Sequence, residues 1–255
     1  MSLSFNKLGD LARAQGNLPE AQRLFGESLH IRQRLAQSDP TNAAWQHDLS
    51  VSFGRLGDLS LTQQNLSETQ RNFSECHRCL QHLSESDPTN PAWQRKLSVS
   101  LNRLGDLAQE QGNLSEAHRF FGEDLRIAQR LAEADPTNTA WRHDLSVSFE
   151  RLGDLSAVQG NLSDAQRFFG ESLRIRERLA ESDPANAEWQ RDLAASHYNL
   201  ALLVGKSGDR VGYIAELREC FLRLHGMQQR GLHFDPQMAQ VYQQLVGMFG
   251  DNAST

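Results

Sequence analysis

The densest group of residues that could do chemistry is Cys76, His77, Cys79 and His82. Thiolate and imidazole are ligands that zinc prefers, and two cysteines separated by two residues are a common zinc spacing. On one helix, however, these side chains would need further ligands from elsewhere, and the sequence has no second such pair. We therefore expect no metal and no cofactor, and we interpret Cys79 as a small apolar core residue.

The sequence also lacks the motifs of a self-sufficient active site. It has no Gly-rich phosphate loop, no Gly-x-Ser-x-Gly nucleophile elbow and no His-Glu-x-x-His helix. The aspartates of its Leu-Gly-Asp-Leu motifs recur every 48 residues, whereas a single active site does not need four copies of the same motif. We predict that the chain is not an enzyme by itself.

Composition narrows the location and the class of partner. The 255 residues carry a net charge of −6, which disfavours nucleic acid and anionic membranes as main partners. No apolar run approaches the roughly 20 residues of a membrane span. Three cysteines, an odd count, argue against a disulfide framework and favour a reducing compartment. We expect a cytoplasmic protein.

The elements that must position these residues repeat along the chain. Four tryptophans lie 48 residues apart, at Trp45, Trp93, Trp141 and Trp189. Leu-Gly-Asp-Leu begins at residues 8, 56, 104 and 152, and Asp-Pro pairs lie at 39–40, 87–88, 135–136 and 183–184. A fixed period of this length predicts stacked structural repeats.

Each repeat has the pattern of two helices. In the third repeat, an amphipathic stripe runs through Trp93, Leu97, Leu101, Leu104 and Ala108. Gly112 provides the left-handed stop, and Asn113 is a good N-cap for a second helix. Asp135-Pro136 ends that second helix, and we expect the proline to open the following one.

Leu104-Gly105, Gly112-Asn113, Ala117 and Phe121 lie at the spacings of the tetratricopeptide repeat, which the sequence resembles over nearly its whole length. That repeat normally has about 34 residues, so the longer period indicates a long-helix variant with helices of about 20 residues. The resemblance implies an all-α fold, an α-solenoid in which about five antiparallel helical hairpins stack into a right-handed superhelix with a C-terminal capping helix.

We expect one repeat domain over residues 1–255. Its repeats are 1–44 (partial), 45–92, 93–140, 141–188 and the divergent 189–235, followed by a capping helix at 236–250. Because Met1 is in phase with Leu49, the first repeat lacks half of its first helix. Either the chain is a fragment of a longer array, or its exposed edge packs on a partner or on a second copy.

In tetratricopeptide arrays the first helix of each hairpin lines a concave groove, and the resemblance carries this role to residues beside the Leu-Gly pair. The candidate binding residues are Asn6, Arg55, Asp58, Asn102, Arg103, Asp106, Arg151, Asp154 and Asn199. Each arginine can meet the aspartate of its own helix, or stacking can bring it to that of a neighbouring repeat. The resulting ladder of arginines and aspartates either binds an extended peptide or pairs its own charges as a structural feature. Its aspartates would repel a terminal carboxylate and favour a partner of basic or mixed charge.

The second repeat is irregular and is a candidate binding patch. Gln64 replaces the stop glycine, and Thr69, Asn72 and His77 replace apolar or small residues of the other repeats. A residue other than glycine in the left-handed region costs on the order of 1 kcal/mol. We expect this repeat to be loosened locally.

The resemblance implies a non-enzymatic protein–protein interaction scaffold that binds a peptide or protein segment in the concave groove. From the composition we expect neither nucleic-acid nor membrane partners. A homodimer through the N-terminal edge is a further expectation. The alternative is a sensor or regulatory arm of a larger bacterial signalling enzyme, an NTPase or a caspase-like peptidase, fused upstream or bound in trans.

Overall fold

The computed structural model describes residues 2–250, and this part of the chain is helical without any strand. The eleven helices are α1 (Ser2–Ala14), α2 (Leu18–Ser38), α3 (Ala43–Thr62), α4 (Leu66–Ser86), α5 (Pro91–Glu110), α6 (Leu114–Ala134), α7 (Thr139–Val158), α8 (Leu162–Ser182), α9 (Ala187–Lys206), α10 (Arg210–Gln229) and α11 (Pro236–Phe249). They form an N-terminal and a C-terminal compact unit, which divide between Ile127 and Ala128. The predicted all-α class and the helix length of about 20 residues are confirmed.

Asparagine side chains begin the first helix of the hairpins. Asn138 accepts a hydrogen bond from the backbone N–H of Trp141, and Asn42 does the same for Trp45. The expectation that the Asp-Pro proline opens this helix is wrong, because Pro136 lies in the preceding turn. Asp135 holds that turn by accepting hydrogen bonds from the backbone N–H and the hydroxyl of Thr137. The helix therefore begins after Asn138.

The two helices of a hairpin pack through the glycine of the Leu-Gly pair. A Cβ added at Gly105 would overlap the ring of Phe121, and one at Gly57 would overlap the ring of Phe73. Glycine is needed here because the paired helix brings its aromatic ring against the helix backbone. The turn between the helices contains Gly112, with φ of 75° in the left-handed region. Gln64 takes the same region in the second repeat, with φ of 57°, as predicted.

In the N-terminal unit each helix packs on its neighbours along the chain. Leu59 of α3 is 1% exposed and packs with Ala21, Leu24 and Phe25 of α2. A second cluster contains Cys79 and Leu83 of α4 together with residues of α3 and α5. Trp93 packs against this second cluster, and all four tryptophans are only half-buried.

In the C-terminal unit the last helix covers an apolar face. Phe221, Leu224 and Met227 of α10 are buried with Tyr242 and Leu245 of α11. The Phe221 and Tyr242 rings are stacked with centroids 6.0 Å apart. The boundaries of the five repeats and their grouping into a single domain stay predictions. None of the helices within residues 2–250 combines the length and the apolar character needed to cross a bilayer.

Candidate functional site

A groove of about 660 Å³ opens in the N-terminal unit, along the face to which α1, α3 and α5 contribute. Buried residues of its lining include Gly54 of α3 and Cys76 and Leu80 of α4. Val51 and Val99 add further apolar surface. The groove therefore lies in the irregular second repeat and the helices beside it.

The predicted ladder of arginines and aspartates runs along this face. Arg55 of α3 pairs with Asp10 of α1, and Arg103 of α5 pairs with Asp58 of α3 at 3.1 Å. Each arginine thus reaches the aspartate of the preceding repeat. The guanidinium groups also lie over Phe25 and Phe73, at 5.9 and 5.5 Å from the ring centroids. In each of these two pairs the arginine and the aspartate neutralise each other.

The pKa of Asp58 reflects two opposed influences. Burial raises this pKa, and the positive charges of Arg103, Arg13 and Arg55 oppose the rise. The side chains of Asp58 and Arg103 are about one-third exposed, at 33% and 39%, so water screens the pair. Such a pair contributes about 0–1 kcal/mol to stability and serves mainly to fix side-chain positions.

The two candidate asparagines of the N-terminal unit keep an unused acceptor. Asn6 is 2% exposed, and the Oδ1 atoms of Asn6 and Asn102 are buried without a hydrogen-bond partner in the part of the chain that the structure describes. An acceptor without a partner is costly to bury.

The remaining candidate residues lie on α5, α7 and α9. Asn199 donates a hydrogen bond to Glu150 Oε1 at 3.0 Å, and Arg176 holds the same carboxylate with contacts of 3.0 and 2.6 Å. The other candidates at these helix positions, each of which has an interaction partner in the structure, are Asp106, Arg151 and Asp154. Glu150 and Arg176, which sequence reasoning did not select, are thus the charged pair that Asn199 joins.

Of the cysteine and histidine group at 76–82, the two cysteines belong to the core. Cys76 and Cys79 are 8% and 5% exposed, and burial raises the pKa of Cys76 to about 12 and that of Cys79 to about 11. A raised pKa disfavours the thiolate, which is the form that binds metal and reacts. His77 Nδ1 is 3.0 Å from Ser100 Oγ, and His82 is exposed. The interpretation of Cys79 as a core residue is confirmed.

The sequence and the structure were compared with known proteins. Residues 3–41 and 97–137 match the family model described as tetratricopeptide repeat. BtubC (BKLC) from P. vanneervenii aligns with 91% of this chain and 82% of its own, at 19% identity and a TM-score of 0.69. The chain is a tetratricopeptide-like α-solenoid.

Two further solved structures share this tetratricopeptide-like fold. The apo form of RapI aligns with 98% of this chain and 83% of its own, at 9% identity and a TM-score of 0.67. A Podosopora anserina putative kinesin light chain with nearly identical TPR-like repeats aligns with 89% of this chain and 95% of its own, at 15% identity and a TM-score of 0.59. A search of curated proteins found no match to the sequence. The structural similarity establishes the fold, and identities this low leave the ligand open.

Sequence reasoning missed the positive charge of the groove in this tetratricopeptide-like array. The lining includes the cations Arg13, Arg55, Arg95, Lys96 and Arg103, and its carboxylate is that of Asp58. The expectation of a basic or mixed-charge partner treated the aspartates as free charges, whereas Asp10 and Asp58 are neutralised by arginines. The missed signal is the spacing of Arg95, Val99 and Arg103, which places these residues on one face of α5.

The C-terminal unit holds a second group of titratable residues. His143 Nε2 of α7 lies 2.8 Å from Asp192 Oδ2 of α9, and Arg191 binds the other carboxylate oxygen at 2.8 Å. The hydrogen bond to Asp192 raises the pKa of His143. Burial raises the pKa of Asp192, but hydrogen bonds from His143 and Arg191 outweigh it, so the net shift is downward. His143, Asp192 and the exposed Glu188 bring three possible metal-ligand atoms within 4.8 Å of one another. Arg191 already supplies a positive charge beside Asp192.

Proposed function

We propose that the protein is a non-enzymatic interaction scaffold that binds a peptide or protein segment along the face to which α1, α3 and α5 contribute. The observation that carries this proposal is the groove of about 660 Å³ on that face. Stacked repeats offer a preformed surface, so binding costs little ordering of the scaffold itself. The predicted concave shape of this face is part of the proposal.

We assign the contacts to the partner according to which charged side chains of this face already form ion pairs within the protein. Arg55 and Arg103 pair with Asp10 and Asp58, which supports a positioning role for the ladder. Arg13 and Lys96 line the groove outside these two pairs and are proposed as the main charged contacts. The unused Asn102 Oδ1 supports the proposal that this residue accepts a main-chain N–H after a small shift. The candidate residues on α7 and α9 stay proposals within the C-terminal unit.

Affinity capture with matched variants tests this function. We expect a partner from the source lysate to bind the native chain and to be lost by Arg13→Glu/Lys96→Glu. The control is Arg34→Glu/Arg126→Glu, which makes the same change of charge at exposed positions on the second helices α2 and α6. Equal recovery by all three proteins, each shown to be folded by circular dichroism, would place the binding site elsewhere.

A second candidate function comes from the edge formed by α1. Leu8 and Leu11 are 51% and 54% exposed, whereas the equivalent Leu104 and Leu107 of α5 are 3% and 2% exposed. Apolar side chains that stacking buries elsewhere in the array are therefore open to a partner here. This favours either a homodimer through that edge or contact with a larger signalling enzyme that the array regulates.

Light scattering on the purified chain tests the edge. We expect a concentration-dependent dimer that Leu8→Lys/Leu11→Lys makes monomeric. A monomer at every concentration argues against the homodimer and leaves the regulatory arm to be tested by capture with the same variant.

The proposed location is the cytoplasm. The three cysteines, Cys76, Cys79 and Cys220, are all free and buried, which fits a reducing compartment. The net charge of −6 supports a protein partner over nucleic acid.

A further inference from the structure

The groove lies where the chain departs from its own repeat. Positions 54 and 80 correspond, at the 48-residue period and its multiples, to positions 150 and 176. In the C-terminal unit, Glu150 and Arg176 form a close ion pair, and the side chain of Arg176 is only 4% exposed. In the second repeat these positions hold Gly54 and Leu80, without the charges of this pair. The first and third repeats have asparagine at the position of Gly54, so the missing side chain at that position is peculiar to the second repeat.

The space at Gly54 is bounded by side chains and not by backbone. A Cβ added there would lie 3.3 Å from Arg103 Nη1 and 3.7 Å from Cys76 Sγ. Leu80 and Cys76 are 6% and 8% exposed and belong to an apolar core cluster. We call the space lined by Gly54, Cys76 and Leu80 the recess. Cys76 and Leu80 offer apolar contact, since the high pKa of Cys76 keeps its thiol neutral, and the Arg103 guanidinium borders the recess beside Gly54.

The rim of the recess has the opposite character. Arg13, Arg95, Lys96 and the two ladder arginines give the lining five cations, and Asp58 is already held by Arg103. Val99 beside these cations is 47% exposed, so the apolar strip reaches solvent. An apolar recess inside a positively charged rim complements a segment that has an apolar side chain flanked by carboxylates.

We propose that the recess is a specificity pocket that takes one apolar side chain from an acidic peptide segment, whose carboxylates contact Arg13 and Lys96. The proposal rests on the proposed function, because it names the partner chemistry of the same groove. The apolar anchor provides the buried contact, and the cations select the flanking sequence and speed association.

A displayed library of random dodecapeptides tests the pocket directly. Selection on the native chain is expected to enrich peptides with aspartate or glutamate around one apolar residue. The key variant is Gly54→Glu/Leu80→Arg, which installs the pair found at Glu150 and Arg176 and fills the recess with side chains that the fold accepts elsewhere. We expect this variant to melt near the native temperature and to bind the enriched peptides at least about tenfold more weakly.

Controls separate the pocket from the scaffold function. Gly54→Asn introduces the residue found at positions 6 and 102, and it replaces the double variant if that protein does not fold. Some peptides could bind the native and filled-recess proteins equally but lose affinity for Arg13→Glu/Lys96→Glu. That result would overturn the proposed specificity pocket and leave the proposed function standing. Enrichment without acidic bias, or no enrichment, overturns the pocket, while the proposed function is decided separately by the lysate capture.

Discussion

A hydrogen bond between His143 and Asp192 joins α7 and α9 in the C-terminal unit, in addition to the one from Asn199 to Glu150. The pKa of His143 is raised above its ordinary value of 6.5 by this bond, and the pKa of Asp192 is lowered below 3.8. The histidine contribution to stability is therefore complete below about pH 6.5 and is lost as the pH rises through the folded-state pKa. The aspartate contribution is present above about pH 3.8 and is lost as the pH falls further.

The first prediction concerns this pair. The melting temperature of the native chain should exceed that of His143→Gln by the largest margin between about pH 4 and 6.5, and the margin should shrink toward pH 8. Differential scanning calorimetry across this range measures it. His30→Gln, which changes an exposed histidine of α2, is the control and should follow the native pH profile. A difference in melting temperature that grows with pH would contradict the stabilising role assigned to the His143–Asp192 hydrogen bond.

Residue positions were predictable from the sequence, but their pairing was not. The period placed Arg55, Arg103 and the aspartates on a common helix face, because spacing fixes which residues share a face. The choice of the preceding repeat's aspartate depends on how helices stack, which local spacing does not contain. The recess was missed because it comes from an absent side chain, at Gly54, together with a change at Leu80 on another helix.

The contact between glycine and phenylalanine holds each of the regular hairpins at close distance. Gly105→Ala should destabilise the protein by about 1–3 kcal/mol, because the added methyl group overlaps the Phe121 ring and must displace it. Gly122→Ala is the matched control, since a Cβ there meets no other atom within 4 Å. That control should be neutral or more stable by up to about 1 kcal/mol, as alanine favours the helix. Urea unfolding of both variants measures the difference, and equal effects would show that the hairpin does not need glycine.

The helices themselves were largely predictable. The end of α6 at Ala134 and the bounds of α11, Pro236–Phe249, agree with the sequence patterns, because capping and stop signals act locally. The start of the first helix was misplaced, since the Asp-Pro pair forms a turn of its own before Asn138. A turn held by an aspartate side chain and a helix opened by proline have similar sequence patterns.

The whole molecule combines an acidic surface with a cationic groove. Its net charge of −6 gave no sign of the five positive residues in the groove lining, because composition averages over surfaces that only folding separates. The sequence could therefore predict a binding scaffold with an irregular second repeat but not the sign of the charge at its groove.

Salt dependence tests this separation of charge. Binding of an enriched acidic peptide should weaken as salt rises toward about 1 M, where charges are screened beyond about 3 Å. Arg34→Glu/Arg126→Glu should keep the native salt dependence, and Arg13→Glu/Lys96→Glu should lose most of it. Fluorescence anisotropy titrations measure both, and an affinity of the native chain that is independent of salt would rule out the cationic rim as the contact.

Site-specific photocrosslinking tests the central claim most directly, namely that partners bind the face to which α1, α3 and α5 contribute. A photoreactive phenylalanine analogue replaces Val99, which is 47% exposed in the groove, or Ser74, which is exposed on the second helix α4. On irradiation in the source lysate, we predict that the Val99 probe crosslinks to a defined partner and the Ser74 probe does not. A partner that crosslinks from Ser74 and not from Val99 would contradict the account.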